Sequence, residues 1–116
     1  PLYPARVRPV KGRVILVEGI FDMLNLHDKG LDNAMCCFGT RNIDVEKLKL
    51  LKMQGVSAVD ILFDPDEAGQ EAATRVAELC EIAELLSKNI RLPVQLGDAG
   101  ALNKLKVKEL KETLYG

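Results

Sequence analysis

Two short β-branched runs in this chain each end on an acid. Arg13-Val14-Ile15-Leu16-Val17 runs into Glu18, and Val59-Asp60-Ile61-Leu62-Phe63 runs into Asp64, with Asp66 two residues further on. Each run gives way to a segment with helical spacing. Strands that alternate with helices imply a parallel α/β sheet with right-handed crossovers. Ligands in open α/β sheets collect outside the carboxyl ends of the strands, where the strand order reverses. Carboxylates placed there offer oxygen-only ligands, which suit a hard cation such as Mg2+.

The rest of the chain fits the same alternation. Residues 1–12 hold Pro1, Pro4 and Pro9 and read as an extended leading segment or linker; residues 13–116 form one domain. Strands are expected over residues 13–17, 33–38, 59–63 and 90–95. Helices are expected over 21–29, stopped by Gly30, from the cap Asp44 to Gly55, over 67–88, and over 104–114. Val45, Leu48 and Leu51 make one apolar face. Ala72, Val76, Leu79, Cys80, Ala83 and Leu86 recur at three- and four-residue steps and predict one long buried stripe. If the two acidic turns meet, the first and third strands are neighbours and the order is 2-1-3-4. The expected fold is a compact three-layer α/β/α sandwich on a four-stranded parallel sheet.

Composition narrows the function classes. With 116 residues and a net charge of −1, the chain has no global positive field to draw it to nucleic acid. Contact with a phosphate backbone would need a local patch, and two basic clusters exist: Arg6, Arg8, Lys11 and Arg13, and Lys104, Lys106, Lys108 and Lys111. Each also reads as a solvated face or tether. Aromatic residues make up only 4% of the chain, so no stacking platform accompanies them. No apolar run is long enough to span a bilayer, so no membrane partner is expected. Cys36, Cys37 and Cys80 have no metal-type spacing, and His27 is the only histidine. The cysteines read as small buried apolar residues in a reducing, cytoplasmic setting. A first residue of Pro rather than Met is expected of a piece of a longer protein.

Val-Glu-Gly-Ile-Phe-Asp at 17–22, Phe-Gly-Thr at 38–40 and Phe-Asp-Pro-Asp-Glu-Ala-Gly at 63–69 together resemble the Toprim domain. That domain is the catalytic fold of DnaG-type primases and type IA topoisomerases, and occurs in OLD-family nucleases and RecR-type recombination proteins. The wording of the three motifs is most similar to the bacterial and phage primase branch. The resemblance implies Glu18 as general acid/base or metal ligand, and Asp64 and Asp66 as the pair that holds Mg2+ or Mn2+. Asp98 falls where primases often carry a further acid before a proline, a position that Ala99 occupies here. Asp98 also reads as a turn residue. Asp22 is either an acid that orients a ligand or a solvated first-turn acid. Gly19 and Gly69 leave room for backbone to approach the ion or a phosphate. Arg41 is a possible phosphate contact, and Thr40 suits a turn.

Three functions are therefore expected to compete. The first is Mg2+-dependent nucleotidyl transfer of primase type: RNA primer synthesis on a single-stranded DNA template from nucleoside triphosphates, with a replicative helicase or adjoining primase domains as partners. The zinc module and basic subdomain of a primase are not in this sequence, so alone it should prime poorly. The second is a Mg2+-dependent Toprim nuclease, using the same acids in the cleavage direction. The third is a non-catalytic DNA-binding or assembly module of RecR type. Strand passage of topoisomerase type needs a tyrosine nucleophile; Tyr3 and Tyr115, both in terminal segments, argue against it.

Overall fold

The computed structural model describes residues 2, 4, 7–37, 43–92 and 99–115. Strands β1 (Arg13–Val17), β2 (Ala34–Cys36), β3 (Ala58–Ile61) and β4 (Leu86–Asn89) alternate with helices α1 (Ile20–Asp28), α2 (Val45–Met53) and α3 (Glu67–Ile82). A short 3₁₀ turn (Ala99–Ala101) and helix α4 (Lys104–Tyr115) follow. All strand pairs are parallel and the order is β2-β1-β3-β4, as the acidic turns required.

Strand alternation divides the core in two. Val14, Leu16, Val59 and Ile61 face α2 and α3, where Leu48, Leu51, Ala73, Val76 and Cys80 close over them. Ile15, Val17, Ala34 and Cys36 face α1 and α4, against Met23, Leu26 and Val107. Both faces of β1 are buried from Val14 on, which is why residues 14–17 form an unbroken apolar run. Leu2 and Val7 of the leading segment pack on the α2–α3 side, and Val10 on the other. The three cysteines are buried and in no disulfide, and burial pushes the Cys80 thiol up to about 11, so it behaves as an apolar side chain. His27 is spent on packing: its Nε2 lies 2.8 Å from the Ala34 carbonyl.

Among the described residues the fourth strand comes earlier than the apolar spacing predicts. Helix α3 stops at Ile82 rather than Lys88, and β4 occupies residues 86–89; of the expected strand over 90–95, residues 90–92 are not in a strand and 93–95 lie outside the described residues. A left-handed residue after the last turn ends α1 and α2, with Gly30 at φ +103° and Gly55 at φ +96°. Helix α3 ends in the same way on Glu84, at φ +62°. The Glu84 amide donates to the Glu81 carbonyl and the Leu85 amide to the Cys80 carbonyl at 2.8 Å, the double closure of a Schellman turn. The sequence carries no glycine there to announce it. Strand β4 is an exposed edge, Leu-Ser-Lys-Asn, so no period-2 apolar signal marks it either. Leu86, expected in the buried stripe, is instead 71% exposed on that edge.

One charge lies inside the sheet. Asp60 of β3 is fully buried. Arg13 grips it from β1 through two hydrogen bonds, Nη2 to Oδ1 at 2.6 Å and Nε to Oδ2 at 3.1 Å. The Tyr115 hydroxyl donates to the same Oδ2 at 3.0 Å and accepts from Asn33 Nδ2 at 2.8 Å. Hydrogen bonding to Asp60 raises the Arg13 guanidinium above its ordinary value. Arg13 is therefore part of the interior scaffold and is not available to the basic patch expected of residues 6–13. Lys11 is likewise engaged, its Nζ donating to the Tyr115 carbonyl at 2.8 Å.

Two stability tests follow from these contacts. Glu84→Gly relieves a left-handed side chain and loses only an exposed pairing with Lys52. It should stabilise the fold by about 0.5–1 kcal/mol, read as a higher urea midpoint at unchanged slope. Tyr115→Phe should cost about 1–3 kcal/mol, because Asp60 and Asn33 each lose a buried partner. Burial is the main cause that holds the Tyr115 hydroxyl above its ordinary value of 10.0. Unfolded chains release this proton first, so its contribution is intact below pH 10 and declines as pH rises beyond it. Alkaline melting curves of wild type should therefore fall more steeply than those of Tyr115→Phe.

Candidate active site at the carboxyl ends of β1 and β3

Strand order reverses between β1 and β3, and the turns that leave these two strands lie side by side. Leu16 pairs with Ile61, and the Leu62 amide donates to the Leu16 carbonyl at 2.9 Å. Two residues later the strands are joined by a side chain. Glu18 Oε1 accepts the Asp64 amide at 2.8 Å. A sequence separation of 46 is thus closed to one hydrogen bond.

Helix α3 starts from Asp66, whose Oδ1 accepts the Gly69 amide at 2.7 Å as an N-cap. The first turn of α3 then lies against the Asp64 peptide. A Cβ on Gly69 would fall 2.2 Å from the Asp64 carbonyl oxygen, so glycine is required by the space, not by its φ. The Asp64 carbonyl takes its donor from Gln70, whose Nε2 lies 3.1 Å away. Asn89, at the end of β4, donates in turn to Gln70 Oε1 at 3.2 Å. Neither Gln70 nor Asn89 was singled out by the sequence motifs. Gln70 is an ordinary polar residue of a helix start, and Asn89 falls beyond the predicted end of α3, on an unrecognised edge strand.

On the β1 side, Asp22 bridges two segments. Its Oδ2 accepts the Gly19 amide at 3.2 Å and its Oδ1 the Gly100 amide at 2.9 Å. Asn25 donates to the Ala99 and Leu102 carbonyls at 2.8 and 3.0 Å. The 3₁₀ turn is therefore clamped beside the start of α1, and Asp22 serves a positional role. Asp98, Arg41 and Thr40 lie outside the described residues. Glu67 and Glu71 are exposed, as helix-start acids commonly are.

The donors suit a divalent ion in chemistry: Glu18, Asp64 and Asp66 are all carboxylates, on turns pinned to one another. Among the described residues no three Asp, Glu, His or Cys side chains converge on one point. Glu18 and Asp66 are turned instead onto backbone amides, where N–H donors offset charge that would otherwise face charge.

Residues 15–102 match the Toprim-like family. The chain belongs to that family. Within the Toprim-like proteins it sides with the DnaG-type primases. It is 37% identical over 102 residues to a DNA primase of Chlamydia muridarum, an alignment covering 88% of this chain and 17% of that protein. Among solved structures it is similar to the Aquifex aeolicus primase (zinc-binding and RNA polymerase domains), at a TM-score of 0.76 and 29% identity over 89% of this chain and 26% of that one. It is also similar to a DnaG primase catalytic domain bound to single-stranded DNA, at a TM-score of 0.71 and 26% identity over 88% of this chain and 32% of that one. The Toprim-like chain thus spans about a sixth of the curated primase it matches.

The contact of α3 with Asp64 is testable by one methyl group. Gly69→Ala should destabilise by about 1–3 kcal/mol in urea denaturation, although alanine is the better helix former, because the added Cβ overlaps backbone that cannot move aside cheaply.

Proposed function

We propose that this chain is the nucleotidyl-transfer portion of a DNA primase-type enzyme, which extends RNA on a single-stranded DNA template from nucleoside triphosphates with Mg2+ or Mn2+. One observation carries it: within a primase-like Toprim fold, Glu18 and Asp64 meet at the switch point of the sheet. Asp64 and Asp66 are the residues to hold the ion, with Glu18 beside them. When bound, the ion supplies positive charge against the triphosphate and the leaving pyrophosphate. In this reading Glu18 takes the proton of the attacking hydroxyl on its carboxylate; the Asp64 amide, which holds that carboxylate at 2.8 Å, supports the role. Pro65 fixes φ between the two aspartates, which keeps the turn from rearranging as charge builds. The clamped 3₁₀ turn walls the site on the α1 side. A single-stranded DNA ligand in one structural neighbour supports a nucleic-acid partner, and the DNA primase relatives support a replication role; a cytoplasmic setting with a helicase and adjoining primase domains as partners is part of the same proposal.

Two measurements test the reading. Mn2+ or Mg2+ should raise the melting temperature of this chain, by the equivalent of about 2.7 kcal/mol at a hundred times the dissociation constant, and Asp64→Asn should remove the rise. In the longer protein, a labelled oligonucleotide with Mg2+ should be extended only when nucleoside triphosphates are added. Glu18→Gln should lower that rate by about 10²–10⁴-fold. Cutting of the oligonucleotide without triphosphates would replace primer synthesis by the nuclease reading.

A further inference from the structure

We propose that Gln70 and Asn89 form a positioning relay for Asp64, setting the affinity of the site for its divalent ion. The inference rests on the reading of Asp64 as a ligand. Strand β3 ends at Ile61, so at Asp64 the backbone has left the sheet ladder. Both of its peptide groups are held by side chains instead. Glu18 takes the amide, and Gln70 supplies the donor for the carbonyl. That carbonyl is pressed under the first turn of α3, where a Cβ at position 69 could not fit. Pro65, next in the chain, brings no N–H to the turn.

The relay has one direction. The Asp64 carbonyl accepts only, so the Gln70 amide must present its NH2 there and its oxygen the other way. The side chain facing that oxygen is Asn89, with Nδ2 at 3.2 Å. Asn89 lies opposite Ile61 in the parallel register, at the same rim of the sheet as the acidic turn. Its amide therefore fixes which way Gln70 points, and Gln70 fixes the Asp64 peptide plane. The direction in which the Asp64 side chain leaves the backbone follows from that plane. Groups that orient a metal ligand from behind change metal affinity by about 10–100-fold when removed.

The test measures Mn2+ binding to this chain through the loss of the free-ion paramagnetic signal, beside melting in metal-free buffer. Gln70→Leu keeps the shape and the helix preference but removes the donor, and should weaken Mn2+ binding about tenfold. Asn89→Ala should weaken it less. The double variant should bind like Gln70→Leu alone, since Asn89 acts only through Gln70. Tyr115→Phe, which loosens the fold at the buried Asp60–Asn33 contact and touches neither Gln70 nor Asn89, should leave the affinity unchanged and so separates positioning from plain loss of stability. Wild-type affinity in Gln70→Leu, or additive losses in the double variant, would overturn the relay while leaving the ion site standing. If wild type itself binds no Mn2+, the proposed function and the relay fall together. Should Gln70→Leu not fold, Asn89→Ala alone decides: unchanged affinity overturns the relay.

Discussion

The parallel pairing of β1 with β3 organises this molecule, and two carboxylates fasten the pair. Within the sheet, Asp60 of β3 is held by the Arg13 fork from the start of β1. Beyond their carboxyl ends, Glu18 after β1 holds the amide of Asp64 after β3. The first fastening is buried. A buried ion pair gains little over apolar packing but costs about 3–5 kcal/mol when one partner is lost, so it enforces register more than it adds stability. A slip of one residue would move Asp60 to the face lined by Leu48 and Val76, where no cation waits. The second fastening depends on the first, because only the correct register brings Glu18 level with Asp64.

This arrangement explains the state of the acids. A turn that must hold several carboxylates near one another has to offset their repulsion, and here it does so with backbone N–H groups. Glu18 and Asp66 each accept one, and Asp22 accepts two. The rim is thus built from acidic side chains that serve the backbone. Recruiting Glu18 or Asp66 to an ion would compete with these amide contacts, which sets part of the cost of binding.

Much of this is legible in the sequence. Apolar β-branched runs, acids at their ends and the glycines at 30 and 55 give the first three strands, the first two helices and the strand order. Asp44 was recognisable as a cap, and accepts the Lys47 amide as expected. What was not legible has physical causes. A glutamate at φ +62° ends α3 with the hydrogen bonds that glycine makes elsewhere in the chain, and composition does not distinguish such a residue. An exposed edge strand has no inward face to show, so Leu-Ser-Lys-Asn looked like the tail of a helix. Asp60 sits inside an apolar run, and a lone acid in a strand buried on both faces signals that a partner must be found. Arg13 of the neighbouring strand is one; the other, Tyr115, comes from the far end of the chain, which no local pattern reveals. The Gln70–Asn89 contact was hidden for the same reason, once the position of β4 was misjudged.

The contact between Lys11 and the Tyr115 carbonyl brings the two ends of the folded unit together, on the side of the sheet away from the acids. A short bridge across that gap would make the backbone nearly circular, and new termini opened in an exposed loop would disturb little of the core. The same closeness would let the unit sit as an insert within a larger polypeptide.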